Sequence, residues 1–268
     1  MTTPPTTTCA DPQALRERLR QLGFHGLLEH WDAVAGAAWL PELVAWEQAS
    51  RQRRSLERRL RNARLGRFHP LADFDWSWPQ KIDREQIEDL LSLRFLEERA
   101  NVILVGPNGV GKTLLAKNLA HQALRAGHTV RFVTASEMLN DLAAQDSASA
   151  LEKRLRRYLR PQLLACDELG YLAYGPHHAD LLFEVVSRRY GEKPLVLTTN
   201  RPFAEWNQTF PNASCVVTLV DRLVHNAEIV PIQGDSYRLK EGQEKAAERA
   251  RQRAARRPAA AARGKARG

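Results

Sequence analysis

Gly106-Pro107-Asn108-Gly109-Val110-Gly111-Lys112-Thr113 is the stretch whose residue types and spacing speak most directly of chemistry. Its glycines allow tight turning and close approach of backbone to a ligand. Val102, Ile103, Leu104 and Val105 run into it as a strand suited to burial on both faces. Leu114, Leu115, Asn118 and Leu119 follow at helical spacing. Strand, G-x-x-x-x-G-K-T and helix, in that order, is the context in which this spacing cradles phosphate. The loop N–H groups and the helix N-terminus face one point and favour negative charge there. The candidate cradle is Gly106, Pro107, Asn108, Gly109, Val110, Gly111, Lys112, Thr113 and Leu114. Lys112 would reach the β- and γ-phosphates of a nucleoside triphosphate, and Thr113 would offer its hydroxyl to Mg²⁺. The bland alternative, a glycine-rich turn with a chance lysine, has to explain why every fixed position is filled.

Further candidates stand where polar residues end apolar runs. "LLACDE" ends in Asp167 and Glu168. An aspartate at a strand end beside the loop can hold Mg²⁺, directly or through water, and the next carboxylate can polarise a water for attack on the γ-phosphate. "PLVLTTN" ends in Thr198, Thr199 and Asn200, and Asn200 would orient that water or sense the phosphate. Strand-end acids facing solvent and a turn asparagine before Pro202 are the plainer alternatives.

These residues need a frame. Helix is expected from Asp83 over Ile87, Leu90, Leu91 and Phe95, and strands at 102–105, 129–135, 162–168, 194–200 and 227–233. Helical patterns lie between them, one with Ser136 as its N-cap. Such alternation implies a mostly parallel sheet with right-handed crossovers and a ligand at the carboxyl ends of its strands. Residues 1–12 read as disordered and 13–67 as a helical, basic DNA-binding or oligomerisation domain. Residues 68–82 read as a linker packing through its aromatics, 83–240 as the ATPase domain, and 241–268 as a basic tail, helical briefly and then disordered. In the first domain Leu15, Leu19 and Leu22 begin an apolar stripe that Trp39, Leu40, Leu43 and Trp46 continue. Of the six tryptophans, five precede the loop; they can stack on bases, but core or interface packing is the favoured reading.

The charge is uneven. Residues 51–67 hold eight arginines and one glutamate, or +7, and residues 241–268 carry +6. With a total of +9 the remaining chain is at −4. Two basic blocks on an acidic body suggest a polyanion partner, most often nucleic acid. Leu56, Leu60 and Ala63 give the first block a narrow apolar seam, which makes it a cationic amphipathic helix. Arg51, Arg53, Arg54, Arg58, Arg59, Arg61 and Arg64 are its candidate DNA contacts. No apolar run approaches a membrane span, and the N-terminus has no secretory pattern. Cys9, Cys166 and Cys215 show no metal spacing and suit a reducing cytoplasm.

Taken together, "GPNGVGKTLLAKNLA", "RFVTASEML", "LLACDELGYL", "ADLLFEVVSRRY", "LTTNRPFAEW" and "DRLVHNAEIVPIQGDSYRLK" resemble the AAA+ ATPases, and closely the IstB-like helper ATPases of insertion-sequence transposition, relatives of DnaC-type helicase loaders. The likeness covers roughly residues 13–240. It implies an α/β AAA+ domain with a five-stranded parallel sheet in the order 5-1-4-3-2, preceded by a small all-helical domain. It implies ATP and Mg²⁺ as cofactors. Lys112, Glu168 and Asn200 would be catalytic, with Thr113 and Asp167 on the metal. Arg222 falls where the family places an arginine that reaches a neighbour's nucleotide, so a homo-oligomer with nucleotide sites at subunit interfaces is implied. The partners implied are double-stranded DNA and a DDE-type transposase encoded alongside. Cys166 and Glu168 depart from the usual aliphatic residue and second aspartate, and no lid domain follows the fifth strand to supply a second sensor arginine.

Three rivals remain. A DnaC-type helicase loader would share these motifs with a helicase as partner. A small-molecule P-loop kinase would need an acceptor site, and a non-catalytic DNA-binding module would bind ATP without turnover.

Overall fold

The computed structural model describes residues 11–171, 175–210 and 214–264, the side chains of 254–264 and of Pro176 excepted. The chain divides into two compact units, Met1–Arg61 and Asn62–Gly268.

Four helices belong to the first part of the chain: α1 Pro12–Gln21, α2 His25–Glu29, α3 Trp31–Val34 and α4 Leu40–Ala63, the last two residues of α4 falling to the second unit. Asp11 caps α1 by accepting from the Gln13 amide, the short polar side chain satisfying a donor that the first turn leaves free. Leu15, Leu19, Leu22, Leu40 and Val44 form the small core, with Phe24, Leu28 and Trp31 packed against it. Leu40 and Val44, four apart, share the inward face of α4. Trp39 and Trp46 lie on its other side and are 51% and 67% exposed. The stripe expected to bury Trp39 and Trp46 with Leu40 is therefore split, because at 100° per residue Trp39, one before Leu40, and Trp46, six after it, both lie about 100–120° around the helix from Leu40.

The second unit is built on five parallel strands, β1 Asn101–Val105, β2 Val130–Thr134, β3 Leu163–Leu169, β4 Leu195–Thr199 and β5 Ala227–Pro231. Their order is β2-β3-β4-β1-β5, as the resemblance implied. The central strands are buried on both faces, which explains their uninterrupted apolar runs. Around them run α5 Arg84–Leu91, α6 Arg94–Glu97, α7 Lys112–Arg125, α8 Ala135–Ala143, α9 Ala148–Leu159, α10 Pro176–Arg189, α11 Trp206–Thr209, α12 Val216–Val224 and α13 Tyr237–Gly264. Asp83 caps α5 as expected. The cap of α8 is Thr134, not Ser136: β2 ends one residue early, and the Thr134 hydroxyl accepts from the Glu137 amide at 3.1 Å.

Two boundaries change. Residues 241–264, expected to leave the helix soon after its start, continue α13, whose alanine and arginine content suits a long helix. Residues 68–82 are anchored chain: a 3₁₀ turn at Leu71–Asp73 and an antiparallel bridge from Lys81 to Gln233 fix them. Residues 1–10 and 265–268, expected to be disordered, lie outside the described residues.

Candidate functional site

β1 delivers the chain into the glycine loop at the carboxyl edge of the sheet. Gly109 and Gly111 have φ of +84° and +100°, and a Cβ at either would collide with Ser236 or Phe74. The backbone there needs glycine both for its conformation and for space. Lys112 opens α7 and is only 9% exposed. Its Nζ donates to the carbonyls of Gly106 and Pro107 at 2.6 and 2.7 Å. Burial pushes this ammonium down to about 8; the Asp167 carboxylate opposes the shift and the Arg238 guanidinium adds to it. A desolvated cation held only by two carbonyls is a site with unspent capacity for anions.

Thr113 Oγ1 donates to Asp167 Oδ1 at 3.1 Å, bringing together residues 54 apart in the chain. The Thr198 hydroxyl at the tip of β4 donates to the same carboxylate oxygen and accepts from the Glu168 amide. Thr198 thus orients both acids, a role the sequence reading did not give it. Glu168 has φ +62°, within a register shift between Cys166 and Leu169. The bulge turns its side chain out of the strand into an exposed position on the same cavity that Asn200 lines. Asn200 Oδ1 is buried without a hydrogen-bond partner. An orphaned acceptor of this kind calls for a donor, such as a water, that the described residues do not supply. Cys166, beside this pair, has its thiol pushed up to about 12 by burial and contributes packing alone.

The cavity holds about 600 Å³. Asn108, Gly109, Val110, Gly111, Lys112, Thr113 and Leu114 line one side of it, and Glu168, Thr198 and Asn200 another; Gly106 and Pro107 are not in its wall, and their carbonyls accept from Lys112. The remaining wall comes from far along the chain. Phe74 and Trp78 of the expected linker face Tyr237 and Arg238 of α13. Trp78 Nε1 donates to the Asp235 carbonyl at 2.9 Å, Lys240 pairs with Asp75 at 3.3 Å, and the Tyr237 amide donates to the Gly109 carbonyl at 3.0 Å. Arg238 therefore enters the phosphate end of the cavity without a lid domain. Sequence reasoning missed it because its only signal, an arginine shortly after β5, is distinct only once α13 is folded back on the loop.

ATP and Mg²⁺ fit what is present. The cavity beside the loop offers the room, Lys112 and Arg238 line it, and the oxygens of Thr113 and Asp167 are the hard donors that Mg²⁺ selects. Among the described residues no cluster of three or more His, Cys, Asp or Glu forms a separate metal site.

Arg222 stands elsewhere. It lies in the last turn of α12 and lines a second cavity of about 360 Å³ with Asn101 and Leu195, the first residues of β1 and β4. That is the amino edge of the sheet, a strand length of about 16 Å from the glycine loop. It is not brought together with Lys112 and Glu168 within one chain. Of the basic block, Arg51, Arg53, Arg54, Arg58, Arg59 and Arg61 are on α4, whereas Arg64 follows it with φ +58° and approaches Glu137 at 3.9 Å. At 100° per residue Arg51, Arg54, Arg58 and Arg61 fall on one exposed stripe within about 80° of arc and about 15 Å long. Arg53 lies opposite, on the side of Trp46.

Sheet order, glycine loop and strand-end acids together define a P-loop AAA+ fold. It is similar to that of AMPPCP-bound DnaA from Aquifex aeolicus, with a TM-score of 0.52 at 20% identity over 69% of this chain and 56% of that one. DnaI is similar too, with a TM-score of 0.51 at 19% identity over 62% and 89%. Residues 26–246 match the family described as IstB-like ATP binding protein, and the chain belongs to that family. Two relatives are named for ATP binding in insertion sequences. One, from Mycobacterium tuberculosis, is 37% identical over 85% of this chain and 94% of its own length. The other, of IS21 in Pseudomonas aeruginosa, is 38% identical over 73% and 74%. Among the described residues no helix is long and apolar enough to cross a membrane.

Proposed function

We propose that this protein is a cytoplasmic, Mg²⁺-dependent ATPase that assembles on double-stranded DNA and delivers it to a DDE-type transposase. The observation that carries the catalytic part is the convergence of Lys112, Thr113, Glu168 and Asn200 on one cavity, with Asp167 buried behind it and bonded to Thr113. Lys112 and Arg238 bind the phosphates. Mg²⁺, when bound through Thr113 and Asp167, neutralises charge on the phosphate oxygens. Glu168 accepts a proton from the attacking water, and Asn200 Oδ1 holds that water in line. Thr198 keeps the two carboxylates apart in role, one tied to Thr113 and the other turned into the cavity. Phe74, Trp78 and Tyr237 exclude solvent from the nucleoside side.

Arg222 lies too far from its own loop to act in cis, so it serves a neighbouring copy's nucleotide. A site at one edge of the sheet and a guanidinium at the other suit head-to-tail assembly. The exposed arginine stripe on α4 supplies phosphate contacts without base readout. The insertion-sequence relatives favour a transposase over a helicase as partner. A small-molecule kinase is disfavoured by the strand-tip carboxylate turned towards the phosphates.

Glu168→Gln tests the assignment. It keeps size and hydrogen bonding but removes the base, so ATP and DNA binding should persist while turnover falls ~10²–10⁴-fold. Wild-type turnover by this variant would sink the catalytic reading. DNA-stimulated ATP hydrolysis with no small acceptor present separates the proposal from a kinase, and its complete absence would leave a non-catalytic binding module.

A further inference from the structure

The second cavity is positive on every charged side chain that lines it: Arg99, Arg189, Lys193 and Arg222, with His225 beside them. Most of these cations are already engaged. Arg189 is buried and donates to the carbonyls of Tyr158 and Pro194 at 2.8 Å each, among others. Lys193 donates to the Leu159 carbonyl at 2.9 Å, and Arg99 to that of Gly191 at 2.9 Å. Arg222 is held differently. Its guanidinium carbon lies 4.7 Å from the centre of the Phe183 ring on α10 and 6.0 Å from that of Tyr190, the residue that caps the C-terminus of α10. No ion pair to Arg222 forms among the described residues; its neighbours Asp221 and Glu228 do not reach it.

The choice of support has a chemical consequence. A carboxylate partner would occupy the N–H fork of an arginine. A ring face stabilises the cation through its quadrupole and leaves the five in-plane donors free. A long side chain immobilised in this way also loses less rotamer freedom when it meets an anion. The rings are themselves braced: Phe183 is packed against the main core, and the Tyr190 ring lies 5.7 Å from that of His225.

We propose that Phe183 and Tyr190 are positioning residues that pre-aim Arg222, and that the cationic cavity is the surface receiving the phosphate-bearing edge of a second copy of this chain. The proposal rests on the reading of Arg222 as acting on a neighbour's nucleotide. It adds that the aim is set by aromatic faces and not by an acid, and it locates the receiving surface at the amino ends of β1 and β4.

The full-length protein on DNA provides the test. Phe183→Leu and Tyr190→Leu should each lower kcat for ATP about 3- to 30-fold, the range expected for losing one cation–π contact. KM for ATP should stay within about twofold, because each chain's own loop is untouched. Tyr190→Phe, which keeps the ring, should restore turnover. In an Arg222→Ala background neither leucine substitution should cost anything further. Independently of activity, the arginine Nε resonance of Arg222, assigned with Arg222→Lys, should lose its ring-current shift in Phe183→Leu. Tyr190, at the surface, keeps the test open should Phe183→Leu fold poorly. Full turnover by both leucine variants while Arg222→Ala is inactive would overturn the cradle, as would losses that add in full to Arg222→Ala. Full turnover by Arg222→Ala itself would overturn the trans reading, and the aiming role with it.

Discussion

Lys112 carries the largest electrostatic tension among the single residues of the site. Its ammonium is pushed down to about 8 by burial, whereas bound phosphates would raise it again. A nucleotide that prefers the charged lysine must therefore bring a proton with it when the pH exceeds about 8. Binding near pH 9 should take up close to one proton, and affinity should fall about tenfold per pH unit above 8. Calorimetry in two buffers of different ionisation enthalpy measures this directly, and Lys112→Ala should abolish both tight ATP binding and the uptake. The same shift has a sign for stability. In the absence of nucleotide the folded state holds this proton less tightly than the unfolded chain, so the penalty is full below about pH 8 and relieved as the pH rises towards 10.5. Lys112→Met should therefore melt higher than wild type at pH 7, with an advantage that shrinks above pH 8. Glu168 is the other residue under tension. An L residue at φ +62° costs about 1 kcal/mol or more, and the bulge imposes this on a side chain that could have continued the strand.

Arg189 and the arginine stripe of α4 show opposite uses of one side chain at the scale of elements. Arg189 ties the end of α9, the start of β3 and the approach to β4 together through backbone carbonyls, among them those of Pro161 at 3.0 Å and Gln162 at 3.2 Å. Burial lowers its guanidinium to about 9, yet the carbonyls need its donors more than the core needs apolar volume. Arg189→Leu would leave several acceptors unpaired, and a loss of about 3–5 kcal/mol is expected in chemical denaturation. The α4 stripe has lighter internal duties, among them the Arg51 guanidinium 5.8 Å from the centre of the Phe24 ring. Arg51 and Arg54 reach back to Glu47 and Ser50 one turn earlier, contacts that a phosphate can replace at little cost. Replacing Arg51, Arg54, Arg58 and Arg61 by glutamine should weaken DNA binding about equally for all sequences. It should also flatten the log–log salt dependence by as much as about 3.6, at 0.9 per phosphate contact. An unchanged slope would move the DNA surface away from α4.

Division of labour between the two edges of the sheet belongs to the whole molecule. The residues proposed to bind phosphate gather at the carboxyl edge and Arg222 at the amino edge, so on the proposed reading a complete site takes two copies. Mixing Arg222→Ala chains, which keep their own loop, with Lys112→Ala chains, which keep their guanidinium, should recover part of the ATPase activity when both co-assemble on DNA. A group of this kind is worth ~10³–10⁵ in rate, far more than an exposed ion pair, so even partial recovery stands clear of background. Mixed assemblies that form and stay inactive at every ratio would count against the shared site.

What the sequence determined by itself is local in the chain. The loop from Gly106 to Thr113 was legible because its chemistry lies in consecutive residues, and the strands because burial on both faces writes continuous apolar runs. Even the strand order followed once the motifs had a family to resemble. What only the tertiary structure decided depends on contacts between distant residues. Arg238 reaches the cavity because α13 is pinned to Gly109 and Trp78. Thr198 governs two acids that lie some thirty residues before it. Arg222 owes its setting to rings on α10 and at its C-terminal cap that no spacing relates to it. Trp39 and Trp46, written in the same stripe as buried Leu40, turn outward because the small core is filled by Leu40 and Val44 from the opposite face. Periodicity ranks the faces of a helix by apolar content, but which face meets a neighbour is settled by packing volume, and packing volume is a property of the folded chain.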